Sequence, residues 1–180
     1  MKYIPLRVKT SYSLLTSLND IKKMILFCKE KGITTLCITD TNMYGVMEFY
    51  NECKKNDIKP VIGLELNIDD KIILLYAKNY YGYQNLTRLV FVMQNEKITK
   101  EILKKYNSNL ICITNNYEEL CDIYEDIYYG YTDIKDKDSS KKCVYINEIL
   151  CFTKNDIKYL PYLYMIKHNK KLNDNIDIHL

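Results

Sequence analysis

The chain of 180 residues is predicted to form a single α/β domain with a largely parallel sheet, because strand and helix patterns alternate along it. Apolar residues make up 47 % of the sequence, which can bury one sizeable core at this length. No internal repeat is visible, and five glycines and three prolines are too few for a linker-rich chain. These observations together indicate one compact domain.

The first half of the chain shows the alternation most clearly. Four strands are predicted there, over residues 4–8, 33–39, 60–67 and 71–76. Asp69 and Asp70 form the turn signal between the last two strands. Two helices are predicted where apolar residues recur at i, i+3, i+4 and i+7, namely at Ile21, Met24, Ile25 and Cys28, and at Val46, Phe49, Tyr50 and Cys53. Gly32 is well placed to end the first of these helices.

The second half continues the alternation with weaker signals. A third helix is predicted around residues 86–93, followed by strands at 109–114, 128–132 and 143–147, and a last helix at 156–170. Pro161 either kinks that last helix or marks its true start. Residues 133–142 hold seven charged side chains in ten, so they are predicted to form a flexible loop.

Charge and cysteine usage exclude several classes of protein. The net charge is +3, and only Arg7 and Arg88 are arginines, so a dedicated sequence-reading DNA binder is not expected. No apolar run reaches the length of a membrane span, and the N-terminus lacks the apolar region of a signal peptide. The seven cysteines are never closer than eight residues, which indicates reduced thiols and a cytoplasmic location rather than a zinc knuckle.

Active sites of α/β folds collect at the C-terminal ends of strands, and here those ends resemble a known family. Residues 6–15 (LRVKTSYSLL) and 38–50 (ITDTNMYGVMEFY) resemble the LHVHSEYSLLDG and LTDHGNMYGAVEFY blocks of the PHP (polymerase and histidinol phosphatase) domain. Residues 53–66 (CKKNDIKPVIGLEL) and 74–89 (LLYAKNYYGYQNLTRL) are similar to its next blocks. These blocks are most similar to the PHP domain of bacterial replicative DNA polymerase III α subunits, and the similarity becomes weak after about residue 115.

This resemblance implies a PHP-type distorted (βα)7 barrel in which residues 1–180 form one PHP domain. It also implies a metal centre, because PHP phosphoesterases bind up to three zinc, manganese or magnesium ions through His, Asp, Glu and sometimes Cys. Such ions generate hydroxide from water and polarise a phosphoryl oxygen. The family's metal ligands align with Arg7, Lys9, Thr16, Thr41, Glu65, Ile72, Asn116, Glu148 and Leu150.

At these positions the sequence departs from the family. Glu65 is kept and Glu148 stands in place of an aspartate, but Arg7 and Lys9 replace the first pair of histidines. Permanent cations cannot coordinate a metal and repel one. We therefore expect no catalytic residue and no metal cofactor. Arg7 and Lys9 either form ion pairs with the two glutamates, in the space where the family binds metals, or point to solvent from the edge of that space.

The remaining polar candidates have simpler explanations. Asp40, from the family's Asp-His motif, is predicted to cap the turn or helix after its strand, and turn chemistry explains Asn42 and Gly45. The only histidines, His168 and His179, lie near the C-terminus without a partner for ligation. The 18 tyrosines follow strand and helix patterns, which favours packing over base stacking.

The sequence therefore predicts a non-catalytic PHP domain of a bacterial DNA polymerase III α subunit that serves as a structural or docking module in DNA replication. The polymerase subunit that this sequence resembles is a DNA-directed DNA polymerase, which is a nucleotidyltransferase. In that family the catalytic carboxylates lie in a separate palm domain, so this chain alone is expected to be inactive. Expected partners are the polymerase core of the same or a neighbouring polypeptide and replisome proteins such as a proofreading exonuclease, with DNA contacted only indirectly and no membrane. The alternatives are a metal-dependent phosphoesterase or 3′–5′ exonuclease, and a stand-alone binding module of PHP ancestry.

Overall fold

The structure is a computed structural model that describes residues 4–171, so His179 lies outside the described part. Its strands are β1 (Arg7–Val8), β2 (Thr35–Ile38), β3 (Lys59–Ile68), β4 (Lys71–Ala77), β5 (Leu110–Thr114), β6 (Asp126–Tyr131), β7 (Cys143–Tyr145) and β8 (Glu148–Ile149). Its α-helices are α1 (Ile21–Glu30), α2 (Val46–Lys55), α3 (Tyr80–Asn95), α4 (Lys100–Lys105), α5 (Tyr117–Leu120) and α6 (Leu160–Lys167). The predicted α/β class is confirmed.

The strands form a curled, barrel-like sheet. Strands β2 to β7 pair in chain order, and β1 pairs in parallel with β8. The Thr39 amide donates to the Val8 carbonyl oxygen (2.7 Å), which joins β1 to the end of β2. Only Ile146 and Asn147 separate β7 from β8. The strands therefore follow one another around a circuit that is hydrogen-bonded from β8 through β1 and β2 to β7 and is joined between β7 and β8 by this two-residue link, in line with the PHP-type barrel prediction.

One strand runs against the others. β4 is antiparallel to both β3 and β5, whereas the β1–β8, β2–β3, β5–β6 and β6–β7 pairs are parallel. The reason is the turn at Asp69 and Asp70, which have φ values of 48° and 61°. A two-residue turn with two positive φ angles closes a hairpin and is too short for a parallel crossover.

Helices cover the sheet in two apolar cores. The first packs α1 and α2 against β1 and β2, and α1 buries the four residues predicted from its periodicity. The second packs α3 and α4 against β3, β4 and β5. Asp20 caps the start of α1 through the Lys23 amide, and Gly32, with φ 61°, follows its end.

The sequence missed the short helices α4 and α5, and the last helix is shorter than predicted. It begins at Leu160 with Pro161 in its first turn, which agrees with the alternative that Pro161 marks the start. In the charged segment 133–142, residues 134–136 form a 3₁₀ turn. The mobility of that segment stays a prediction. Between residues 4 and 171, no helix has the length and apolar character needed to cross a membrane.

Candidate site: an ion-pair cluster at the former metal positions

Four of the predicted former metal positions meet at one end of the barrel. Arg7 and Lys9 are two residues apart in and just after β1, so their side chains lie on the same side of the strand. Glu148 is the register partner of Arg7 in β8. Glu65 lies in β3, where its amide donates to the Asp40 carbonyl oxygen (3.0 Å) beyond the end of β2.

Arg7 holds Glu65 through two parallel hydrogen bonds. Its Nε donates to Oε2 at 2.8 Å and its Nη2 to Oε1 at 3.0 Å, which is the bidentate geometry that a planar guanidinium fits best. Its Nη2 also lies 3.4 Å from Glu148 Oε1. The Arg7 and Glu65 side chains are only 12 % and 7 % exposed. This pair is therefore a largely desolvated one.

Lys9 completes the cluster from the other side of the same carboxylate. Its Nζ lies 3.0 Å from Glu65 Oε2 and donates to the Thr39 carbonyl oxygen at 2.8 Å. The Lys9 side chain is 3 % exposed, so the ammonium group is essentially shielded from water. Two cations and two carboxylates give the cluster no net charge, which is what makes its burial tolerable.

Burial and ion pairing shift the pKa values of Arg7, Lys9 and Glu65 in opposite directions. Burial disfavours the charged forms of Arg7 and Glu65, but their mutual hydrogen bonds and attraction prevail. The pKa of Arg7 is therefore raised and the pKa of Glu65 lowered from their ordinary values. At Lys9, burial outweighs the attraction of Glu65, so the pKa of the ammonium group is lowered.

Asp40 organises the loop that carries Lys9. Its carboxylate accepts hydrogen bonds from the Thr10 amide, the Thr10 hydroxyl and the Ser13 hydroxyl. It does not cap the turn or helix after β2, as the sequence suggested, because the loop after neighbouring β1 brings three donors to it. Asp40 is fully buried, so these bonds supply the partners that it requires.

The other two predicted turn residues differ in their roles. Asn42 Oδ1 accepts from the Tyr44 amide, as expected for a turn, and its Nδ2 donates to the Tyr12 carbonyl oxygen (3.0 Å). Gly45 has an ordinary φ of −84°, so turn conformation does not explain it. A Cβ atom there would lie 2.5 Å from the Tyr12 ring, and close packing is the physical reason for glycine.

The other five former metal positions do not join the cluster. Thr16 lies in the loop after β1, where its hydroxyl accepts from a lysine of α6. Thr41 is exposed beyond β2, and Ile72 is half-buried in β4. Asn116 comes directly before α5, and the Leu150 carbonyl oxygen accepts from two residues of the loop after β1.

The residues present do not fit a PHP metal centre. Within residues 4–171, no three His, Cys, Asp or Glu side chains form a group that could hold a metal ion. The two carboxylates that meet at the former centre, Glu65 and Glu148, already face cations. A catalytic zinc site needs about three protein ligands. Of the four positions that meet here, two are occupied by the cations Arg7 and Lys9, which repel a metal ion.

Sequence reasoning missed the residues that hold the loop after β1 in place. Ser17 Oγ and Asn19 Nδ2 both donate to the Lys9 carbonyl oxygen at 2.8 Å, and Asn19 also reaches the Ile149 carbonyl oxygen at 3.1 Å. Both residues are buried. The available signal was the unusual run of Ser, Thr and Asn directly after a strand, because such side chains satisfy backbone groups in turns.

A cavity of about 430 Å³ lies at the other end of the strands. Met47, Tyr50 and Tyr80 line it, together with Pro60 near the start of β3. Glu65 is further along β3, so this apolar cavity and the ion-pair cluster are separate features. The cluster is a packed ionic core rather than a substrate pocket.

Comparison with known proteins agrees with this architecture. The PHP domain family matches residues 5–160. The DNA polymerase III subunit alpha of Campylobacter jejuni is 36 % identical over 130 residues, which are 62 % of this chain and 11 % of that protein. The DNA polymerase III subunit alpha of Staphylococcus aureus is 28 % identical over 182 residues, covering 93 % of this chain and 17 % of that protein.

A solved structure, a putative metal-dependent phosphoesterase from Bifidobacterium adolescentis, aligns with 58 % of this chain and 44 % of its own, at 10 % identity and a TM-score of 0.38. That alignment is too loose to support a conclusion about activity. The chain spans less than a fifth of the length of the two polymerase subunits. The family match covers most of the chain, and on that ground the chain belongs to the PHP domain family.

Proposed function

We propose that this chain is a non-catalytic PHP domain in which the ion-pair cluster takes the place of a metal centre. We further propose that it serves as a structural or docking module of a DNA polymerase III α subunit in DNA replication. The observation that carries the proposal is the contact of one buried carboxylate, Glu65, with two cations, Arg7 and Lys9. The relatives named DNA polymerase III subunit alpha support the replicative context.

The electrostatics disfavour a metal at this site. A divalent ion bound to Glu65 would have to displace the bidentate Arg7 fork and would then lie beside two buried positive charges. Repulsion between charges at this range is stronger inside a protein than in water. Without a metal, the cluster has no means of generating hydroxide or polarising a phosphoryl oxygen. The phosphoesterase and exonuclease alternatives therefore lack their chemistry here.

Metal analysis of the purified chain tests the non-catalytic assignment. The protein is dialysed against zinc and manganese, excess metal is removed, and bound metal and hydrolysis of a generic phosphodiester are measured. We expect neither stoichiometric metal nor hydrolysis above the protein-free blank. Near-stoichiometric metal, or turnover that disappears in Glu65→Ala, would restore the phosphoesterase assignment.

The docking role has its own test. The expected partner is the polymerase core of the same or a neighbouring polypeptide, with a proofreading exonuclease as a further candidate. A polymerase module encoded directly after this domain is the expected finding. Its absence, together with no binding to a polymerase core in size-exclusion chromatography, would favour a stand-alone binding module.

A further inference from the structure

Helix α6 has an apolar surface on the side that faces away from the domain. Only Lys167 is charged among its eight residues, and Leu160 and Met165 are the residues that it buries. Tyr159, directly before the helix, shares one outward face with Tyr162 and Ile166, because their spacing is i, i+3 and i+7. Surface helices present polar residues outward, and a helix that is apolar all round is normally buried.

The loop after β1 presents further exposed apolar residues close to this helix. Leu14 is 77 % exposed, and its neighbour Leu15 has a φ of 54°, which an ordinary side chain rarely adopts. Lys167 Nζ donates to Thr16 Oγ1 at 2.9 Å and so fixes the loop beside α6. We call the combined patch of Leu14, Leu15, Tyr159, Tyr162 and Ile166 the α6 surface.

Lysines flank helix α6 along the chain on both sides. Residues 154–170 contain four lysines and one aspartate, a net charge of +3 that equals the charge of the whole chain. Within the described residues, Lys154, Lys158 and Lys170 form no ion pair, whereas Lys141 elsewhere pairs with two carboxylates. Uncompensated cations around an exposed apolar patch indicate complementarity to an acidic partner.

We propose that the α6 surface binds an acidic, apolar surface of a protein partner. The inference rests on the proposed docking role and names the surface that carries it. A second copy of this chain fits poorly, because two lysine rims would face each other. Single-stranded nucleic acid fits less well, because only Tyr159 and Tyr162 could stack on bases, whereas the three aliphatic residues of the α6 surface gain little from phosphates or bases.

A synthetic peptide serves as the probe, since the partner is unidentified. It is an 18-residue amphipathic helix with leucine on one face and glutamate on the other, and its counterpart carries lysine in place of glutamate. Fluorescence anisotropy of the labelled peptides is measured with the full chain. We expect the acidic peptide to bind, the basic peptide not to bind, and the affinity to fall as salt is raised.

Variants then locate the binding surface. Tyr162→Ser/Ile166→Ser and the charge reversal Lys158→Glu/Lys170→Glu are each expected to weaken binding about tenfold or more. Phe91→Ser is the control, since Phe91 is 68 % exposed on α3, outside the α6 surface. Thermal melts verify that every variant folds, and the charge reversal keeps the test available if the apolar variant unfolds.

Three outcomes would overturn the inference. These are equal binding of both peptides, equal weakening by Phe91→Ser, and tighter binding of an oligo-dT strand than of the acidic peptide. A concentration-dependent dimer lost in Tyr162→Ser/Ile166→Ser would assign the surface to a second copy instead. None of these results alters metal content or phosphodiester hydrolysis, so failure of this inference is distinguishable from failure of the non-catalytic assignment.

Discussion

Replacing Glu65 by glutamine is expected to lower the free energy of unfolding by about 3–5 kcal/mol, the usual cost of removing one member of a buried ion pair. Glutamine keeps the size of the side chain but removes its charge. It also places an amide N–H₂ group among the donors of Arg7 and Lys9. Arg7 then keeps only the more exposed Glu148, and Lys9 has no other carboxylate partner among residues 4–171.

The size of this loss follows from the two buried cations that remain after the substitution. Two unit charges 4 Å apart attract by about 4 kcal/mol at an effective dielectric constant of 20, and Glu65 faces two cations. In the wild-type chain, most of this attraction is offset by the desolvation of Arg7, Lys9 and Glu65. In Glu65→Gln the desolvation of both cations remains while the attraction is lost. A domain stable by about 5–15 kcal/mol is then close to unfolding at the lower end of that range.

Urea unfolding followed by circular dichroism measures the effect, with Glu119→Gln as the matched control. Glu119 pairs with Lys100 at 3.3 Å, but both side chains are 56 % exposed, so its loss is expected to cost about 0.5 kcal/mol or less. A second comparison replaces the three most buried members of the cluster by Arg7→Met, Lys9→Met and Glu65→Leu and leaves the more exposed Glu148 in place. That triple variant is expected to regain most of the lost stability, since apolar packing can substitute for a buried ion pair.

A loss below about 1 kcal/mol in Glu65→Gln would refute this reasoning, because it would place the cluster with exposed ion pairs. So would a triple variant that is less stable than Glu65→Gln alone. In that case the ionic geometry, rather than the absence of unpaired charge, would be what the barrel requires.

The remaining predictions use other features of the same region. The pKa of Glu65 is lowered by folding, so its contribution is complete above the unfolded value near 4.5 and is lost as pH falls through the folded value; the stability difference between wild type and Glu65→Gln should shrink in titrations from pH 7 to pH 3. Asp40→Ala leaves three buried donors without an acceptor and should lower the free energy of unfolding by about 2–4 kcal/mol, measured by urea unfolding. Gly45→Ala drives a Cβ atom into the Tyr12 ring and should cost about 1–3 kcal/mol; an unchanged melting temperature would contradict the close packing. Residues 133–142 should exchange amide hydrogens faster than the adjoining strands β6 and β7, and slow exchange there would contradict the predicted flexible loop.

The sequence was most informative where local patterns act alone. The apolar spacing at Ile21 to Cys28 predicted the buried face of α1, and Asp69-Asp70 predicted the turn before β4. Helices α4 and α5 escaped prediction because six and four residues are too few to show helical periodicity. Their stability comes from packing against the sheet, which no local window contains.

The site was predictable in its members but not in its geometry. Alignment to the family put Arg7, Lys9, Glu65 and Glu148 among the former metal positions, although it left pairing and solvent exposure equally open. Only the barrel circuit decides between them, because it brings residues 58 positions apart to within 2.8 Å. Asp40 shows the same limit. Its partners are in the loop after β1, which is adjacent to it in space and 27 to 30 residues distant in sequence.

The two shortest strands also determine how the molecule opens. β1 and β8 contribute two residues each to the pairing between the first and last strands of the described chain, and the loop after β1 adds hydrogen bonds to the Ile149 and Leu150 carbonyl oxygens. The strand pairing itself is short, so side chains contribute more to holding these two strands together than they do along the longer β3 and β4 strands. The Arg7 side chain spans this pairing by contacting Glu148 on one side and Glu65 on the other. If the proposed non-catalytic assignment is right, Arg7 then shares with Ser17 and Asn19 the task of holding these strands together against local unfolding.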